Sequence, residues 1–331
     1  MKVLSYVKGM DGCTYHRIHL PNQSIKADVR TVTQLSEEDL AWCDILHYSR
    51  HTMVAVGFLN QFRDKYGFKI VVDTDDWWEV GKDHPKYEWW SRSNISLQVR
   101  QHLMNADAVT CTHSYLAELV PNSNVYILPN FISYGKGQFK YRAQKKSDRV
   151  RLLYASTIMN YANTELIAGA MRRLKHLNIE VVMAGYKENP LFDILVKNLT
   201  ADGAIPYSFT PWAESDCYML NYVGDIGILP SKPTQFNKCK SNLKLLEYAA
   251  LKMPVVVSDS DPYGGFPVHY ANGENQWVEK ITNLVEDPEL RKKSGDELYK
   301  FCKDNYDMYK YSEERLKVYE QIIQRNNSNS R

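Results

Sequence analysis

Short apolar runs alternate with amphipathic stretches along the whole chain. In the first half, Val3–Val7, Ile45–Tyr48, Lys69–Asp73, Ala108–Cys111 and Val125–Leu128 have the length and β-branched content of buried strands. Between them, Met53–Tyr66 and Asn94–Met104 carry the apolar spacing of helices. The alternation then starts afresh. Strands are predicted at Arg151–Ala155, Glu180–Ala184, Ala204–Phe209, Ile226–Leu229 and Val255–Ser258. Helices are predicted at Asn163–Leu177, Asn189–Leu199, Ser215–Tyr222, Lys240–Leu251, Gln276–Val285 and Pro288–Asn305. Such alternation implies mostly parallel sheets covered on both faces, and the restart near Arg151 implies two of them.

The join, Ile132–Arg149, holds Gly135, Gly137 and the basic residues Lys136, Lys140, Arg142, Lys145, Lys146 and Arg149. Polarity, glycine and lack of periodicity read as a solvated linker. The sharper alternative is a strip that tracks phosphates. The tail Asn326–Arg331 is expected to fray.

Composition narrows the class. A chain of 331 residues suits about two domains. With 44% hydrophobic and 24% charged residues it is neither disordered nor fibrous. Lys+Arg number 41 against 39 Asp+Glu, a net charge of +2, which argues against a histone-like coat but leaves room for a local basic groove. No run reaches the roughly 18 apolar residues of a membrane span, and Met1–Lys8 is too short for a signal peptide. Six cysteines without a CxxC pair predict a reduced, cytoplasmic protein. In that setting the sequons at Asn94 and Asn198 are chance matches. No P-loop, HExxH, EF-hand or Gly-x-Ser-x-Gly pattern supports an NTPase, metalloprotease or hydrolase.

Parallel sheets bind ligands beyond the carboxyl ends of their strands, so the residues after each strand are the candidates. The densest set follows Ile226–Leu229: Pro230-Ser231-Lys232, then Lys238-Cys239-Lys240-Ser241-Asn242-Leu243-Lys244, then Glu247. A helix start near Ser241 would offer free N–H groups to phosphate. Lys240, Lys244 and Glu247 would share one helical stripe, with the carboxylate suited to ribose hydroxyls. The plain alternative is a surface helix with ordinary charge pairs.

These residues also carry a family likeness. Tyr222–Ile228, Leu229-Pro230-Ser231, Lys240–Ala250 and Pro254–Asp259 resemble the donor-binding half of the group 1, family 4 retaining glycosyltransferases. The resemblance implies an α/β, GT-B fold, with two Rossmann-like domains facing across a cleft. The expected layout is an acceptor-side domain over 1–131, a linker over 132–149, a nucleotide-sugar domain over 150–310, and a helix over 311–325 that packs back on the first domain. Glu247 matches the second glutamate of the family's Glu-x7-Glu motif, which binds ribose. The first falls at Cys239, a departure that points to a divergent branch. There, Lys240, Ser241 and Asn242 would meet the diphosphate, with Lys244 beside them.

The resemblance also implies donor contacts at Ser156 and Thr157, without the family's basic pair. It implies a stacking role for Trp212 beside the base, the alternative being a core indole. Gly12 lies in the loop Gly-Cys-x-Tyr-x-Arg-Ile-x-x-Pro, which is similar to bacteriophage glycosyltransferases and would face the donor. Asp76, His113 and Lys240 are the expected catalytic groups, and Tyr15, Asp75 and Trp77 the acceptor contacts. The competing readings are a capping turn for the aspartates and a structural role for the histidine. Pro129-Asn130 matches a structural Pro-Asn of the family. No metal is required and no cofactor beyond the nucleotide sugar, most simply a UDP-sugar. The leading acceptor is a hydroxymethylated pyrimidine in double-stranded phage DNA, motivated by the basic hinge and by Trp77, Trp78, Trp89 and Trp90. The enzyme would then act in the host cytoplasm. The alternatives are a cell-envelope glycan or lipid-linked sugar as acceptor, or a non-catalytic nucleotide-sugar-binding module.

Overall fold

The computed structural model describes residues 1–52, 54–82 and 84–328. They form two compact units. The first comprises Met1–Ile132, Lys238–Ser241 and the chain from Met308 onward; the second comprises Ser133–Asn237 and Asn242–Asp307. Each is built on a six-stranded, fully parallel sheet.

The first sheet contains β1 (Lys2–Tyr6), β2 (Asp28–Val32), β3 (Ile45–Ser49), β4 (Lys69–Thr74), β5 (Ala108–Cys111) and β6 (Val125–Ile127), in the order β2-β1-β3-β4-β5-β6. Its two faces differ. Leu4, Leu46, Ile70, Val72 and Val109 pack under the helices Val56–Tyr66 and Ile95–Asn105. On the other face Val3, Ile45, Val71 and Ala108 pack against Tyr319 and Ile322 of the helix Met308–Ser328.

The second sheet contains β7 (Val150–Ala155), β8 (Ile179–Tyr186), β9 (Tyr207–Pro211), β10 (Ile226–Leu229), β11 (Val255–Ser258) and β12 (His269–Ala271), in the order β12-β11-β10-β7-β8-β9. Leu152, Val181, Ile226 and Val256 join Met171, Leu195, Trp277 and Ile281 in one core cluster. At Gly295, in the helix Pro288–Tyr306, a Cβ would stand 2.0 Å from the Lys252 carbonyl oxygen, so only glycine permits this approach of two backbones.

Several sequence expectations are corrected. β2 and β12 were not expected: both are edge strands, β2 polar and largely exposed, β12 only three residues long. The strand expected at Ala204–Phe209 starts at Tyr207, because Ala201, Asp202 and Gly203 turn through positive φ before it. The helix expected at Ser215–Tyr222 is a single 3₁₀ turn, Tyr218–Asn221. That at Asn163–Leu177 divides into a 3₁₀ segment, Ile158–Ile167, and an α-helix, Ala168–Leu174. That at Met53–Tyr66 begins at Val56, and Met53 lies outside the described residues.

Apart from Ile132, the expected linker folds as part of the second unit. Phe139 is buried, Gln138 Nε2 donates to the Ser215 carbonyl at 2.8 Å, and Arg142 donates to the Met219 carbonyl at 2.6 Å. The tail expected to fray is helical through Ser328; residues 329–331 lie outside the described set.

Candidate functional site

Strand order locates the crevice in each sheet. In the second, the chain leaves β7 for β8 and β9 on one side, then crosses to β10 on the other, so the switch point lies between the carboxyl ends of β7 and β10. Ser156 and Thr157 follow β7, and Pro230 and Ser231 follow β10. The floor is set by Gly227, where a Cβ would come within 2.7 Å of the Tyr248 ring. Glycine there lets Tyr248 lie across β10, and its hydroxyl accepts from the Ala155 N–H at 2.9 Å, beneath the Ser156 loop. Ser156 Oγ accepts from Asn160 Nδ2 at 2.8 Å, and Thr157 is exposed. Asn163 holds the opposite loop, accepting from the Lys232 N–H at 3.1 Å and from Asn237 Nδ2 at 2.8 Å. Trp212, just past β9, is 53% exposed with Lys187 Nζ 5.7 Å over its ring, so it is a surface indole and not a core one.

Glu247 is 1% exposed and fully engaged. One carboxylate oxygen accepts from the Tyr218 hydroxyl at 2.7 Å, and the other from the Tyr222 hydroxyl at 3.0 Å and Lys244 Nζ at 2.6 Å. Sequence reasoning missed both tyrosines; their four-residue spacing was the available signal. The pairing also changes the part expected of Lys244, whose charge is offset by the buried carboxylate. Burial, with Glu247 beside it, pushes the Tyr222 hydroxyl well above its ordinary range.

The proposed single stripe of Lys240, Lys244 and Glu247 does not form. The helix is Leu243–Ala250, with Asn242 as its N-cap and no side-chain capping bond. Lys240 and Ser241 precede it and belong to the first unit, whereas Asn242, Lys244 and Glu247 belong to the second. Cys239, where the family carries a carboxylate, is fully buried in the first unit's apolar cluster.

In the first sheet the switch point lies between β1 and β3. Lys8, Arg50 and His51 stand there and were not singled out from sequence, although each lies within three residues of the end of a predicted strand. Lys8 Nζ donates to His51 Nε2 at 2.7 Å. Partial burial and the Arg50 charge lower Lys8 to about 8, and burial with Lys8 beside it lowers His51 to about 4. Arg50 Nη2 donates to Asp75 at 3.0 Å and to Asp76 at 3.1 Å. Burial and then the Asp75 charge raise Asp76, while Arg50 and Lys240 pull it down, so Lys240 and Asp76, both expected to be catalytic, share one electrostatic neighbourhood. Ligand atoms of Cys13, Asp75 and Asp76 lie within 4.8 Å of one another. That set fits a metal poorly: Arg50 already donates to both carboxylates, and burial raises the Cys13 thiol, favouring its protonated form.

The remaining expected residues divide. Gly12 opens a short helical turn capped by Asp11, and a Cβ on it would meet nothing within 4 Å. Tyr15 is buried, its ring stacked 5.7 Å from His19. His113 caps the helix Ser114–Leu119, its Nδ1 accepting from the Leu116 N–H at 3.4 Å. Trp77 packs on the core beside buried Trp78, 4.3 Å between rings. Of the four tryptophans expected to offer stacking surface, Trp89 is the exposed one.

Behind this rim runs a buried chain of hydrogen bonds. Asp73 accepts from Arg17 Nε at 2.9 Å, from Arg17 Nη2 at 2.8 Å and from the Thr110 hydroxyl at 2.6 Å. Arg17 Nη1 donates to the Leu128 carbonyl at 2.7 Å and to Asn130 Oδ1 at 3.2 Å. Asn130 Nδ2 then donates to Ser241 Oγ at 2.7 Å. Residues from β4, β5 and the segment after β6 thus fix the position next to Lys240.

No protein-family model matches the chain, and no curated protein resembles it by sequence. Solved structures do resemble it in shape. Sucrose-phosphate synthase from Thermosynechococcus elongatus is 14% identical, with a TM-score of 0.68 over 98% of this chain and 99% of that one. A glycosyltransferase from Rickettsia africae is 12% identical, with a TM-score of 0.68 over 97% and 98%. Anabaena HepE, solved in complex with UDP, is 10% identical, with a TM-score of 0.64 over 99% and 100%. The two parallel six-stranded sheets, each covered by helices, are therefore the two Rossmann-like domains of a GT-B fold.

Proposed function

We propose that this protein is a glycosyltransferase that moves a sugar from a nucleoside diphosphate sugar, in the first instance a UDP-sugar, to an acceptor hydroxyl. The observation that carries the reading is the rim of the second sheet. Its switch point carries the Ser156-Thr157 loop, with Thr157 exposed, and the exposed indole of Trp212 follows β9 at the carboxyl edge of the same sheet. Hydroxyls and amides suit a diphosphate, and an exposed indole suits a base. HepE, similar in fold along nearly the whole chain, was solved with UDP.

In this mechanism the diphosphate gains negative charge as the glycosidic bond breaks. Lys240 and the amides opening the helix Leu243–Ala250 stabilise that charge electrostatically. Lys244, already paired, acts as an orienting group with Glu247. No metal is required, since Arg50 serves the carboxylates a cation would otherwise bridge. Asp75 and Asp76 line the acceptor side with Gly12. The configuration at the anomeric carbon is retained, by attack on the face from which the diphosphate leaves.

The test is incubation with a panel of nucleotide sugars and three acceptor classes: hydroxymethylated duplex DNA, envelope glycans and lipid-linked sugars. Mass analysis of products and release of nucleoside diphosphate are the readouts. Transfer to one class, abolished by Lys240→Ala and indifferent to chelators, is expected. The DNA class leads, on the sequence likeness to bacteriophage enzymes. Tight donor binding with no turnover on any acceptor, in the presence of divalent cations as well, overturns the enzymatic reading in favour of a nucleotide-sugar-binding module.

A further inference from the structure

The sheet face beneath the helix Met308–Ser328 changes character along its strands. Val3, Ile45, Val71 and Ala108 are apolar, but two residues on, the same face carries Ser5, His47, Asp73 and Thr110. Over this polar half lies Arg315, one helical turn before Tyr319 and 1% exposed. Its Nη1 donates to the Tyr319 hydroxyl at 3.3 Å, while Nε and Nη2 are buried with no hydrogen-bond partner. His47 is 0% exposed, and neither of its ring nitrogens has a partner. Its ring lies 5.9 Å from that of Tyr319, and after burial itself, the Arg315 charge is the strongest influence holding it neutral.

The donor count is lopsided. Arg315 brings three unused N–H groups, and a neutral imidazole brings one donor and one acceptor: four donors against one acceptor. The charge count is lopsided too. The charges acting on His47 are those of Arg315 and Arg17, two buried cations, and of Asp73, an anion already bonded to Arg17 and Thr110; Asp75, which also acts on Arg17, is bonded to Arg50. Buried charges in folded proteins are paired, and buried donors find acceptors.

We infer that Arg315 and His47 form a buried binding site for a small monovalent anion of the halide class, enclosed as the helix Met308–Ser328 docks on the sheet. Such an ion supplies both the missing acceptor and the missing charge; water would supply only the first. The site is independent of sugar transfer and lies wholly within the first unit.

Crystals of the full chain grown in bromide instead of chloride test this directly by anomalous scattering. A bromide peak within contact distance of Arg315 and His47 is expected. In parallel, thermal unfolding is followed in chloride and in gluconate at matched ionic strength. A higher Tm in chloride is expected for the unaltered protein, and the difference should vanish in Arg315→Met. If that variant does not fold, the bromide peak and the salt comparison on the unaltered chain decide. Waters alone at the position overturn the inference. So does a bromide peak without chloride-dependent unfolding, which would mark an adventitious ion only, and so does a chloride effect that survives in Arg315→Met.

Discussion

Asn130 and Ser241 are 111 residues apart in sequence, and the amide of one donates to the hydroxyl of the other at 2.7 Å. The same Asn130 accepts from Arg17, so a surface loop is tied to the first sheet's buried ion pair. Asn130→Ala should lower kcat/KM for sugar transfer by roughly tenfold through misplacement of the Lys240 loop. Ser241→Ala should do the same with a smaller loss of stability, because it leaves the Arg17–Asn130 hydrogen bond in place. Steady-state kinetics beside denaturant unfolding check this; unchanged kinetics in both variants would remove the positioning role.

Arg17 and Asp73 form a bidentate pair, 1% and 0% exposed. Removing either partner strands a buried charge, so Asp73→Asn and Arg17→Met should each cost about 3–5 kcal/mol. The double variant should recover part of that loss. Urea midpoints of all three give the coupling, and strict additivity would argue against a tight pair.

Glu247 is saturated by two tyrosines and Lys244. Glu247→Gln should weaken nucleoside diphosphate binding at least tenfold, since Lys244 loses the carboxylate that orients it. Tyr222→Phe, which removes the hydroxyl's bond to Glu247 and its acceptance from Lys244 Nζ, should cost about 1.5–3 kcal/mol of stability while leaving the Lys244–Glu247 ion pair in place. Calorimetric titration with UDP distinguishes them; equal donor affinity in Glu247→Gln and the parent protein would show that Lys244 needs no such anchor.

His51 and His102 are both lowered to about 4, chiefly by burial; His102 Nδ1 is paired with the Tyr48 hydroxyl at 2.9 Å. Their folded values lie below the unfolded value of about 6.5, so the unfolded chain binds more protons between those limits. Their contribution is intact above about pH 6.5 and is lost as pH falls toward about 4. The fall should reach about 1 kcal/mol per pH unit for His102 and less for the more solvated His51. Unfolding curves between pH 7.5 and 4.5 measure it, and a flat profile to pH 5 would contradict the burial of both rings.

Two glycines should respond oppositely to a methyl group. Gly295→Ala drives a Cβ into the Lys252 carbonyl and should destabilise by about 1–3 kcal/mol. At Gly169 the obstacle is the carboxylate of Glu274, the far end of a flexible side chain on the surface. Gly169→Ala should be neutral or stabilising by up to about 1 kcal/mol, from helix propensity. Paired Tm measurements test the contrast.

The sheets were legible because eight of their strands are largely buried apolar runs, a signal that survives without tertiary context; β6 and β9 are edge strands that their β-branched and aromatic residues still marked. β2 and β12 were not, since an edge strand has one neighbour and shows solvent-facing polarity. The site was legible where residues directly follow strands: Ser156, Asp75 and Asp76 stand at strand ends. Trp212 could not be assigned as core or surface, because an indole serves either and only packing decides. Lys240, Lys244 and Glu247 were misread as one stripe because the helix begins three residues later than its polar approach suggests. The two tyrosine partners of Glu247 come from the 3₁₀ turn Tyr218–Asn221 and its C-cap, 29 and 25 residues earlier, and their four-residue spacing does not say which carboxylate they meet.

The helix Met308–Ser328 covers a sheet face whose strands all occur before residue 128. During synthesis that apolar face must wait, uncovered, for nearly two hundred further residues to leave the ribosome. The intervening unit can close its own core before then. The amino-terminal half is thus the last to be finished, and a fragment ending near Ile132 should emerge sticky, prone to capture by chaperones and unable to mature alone.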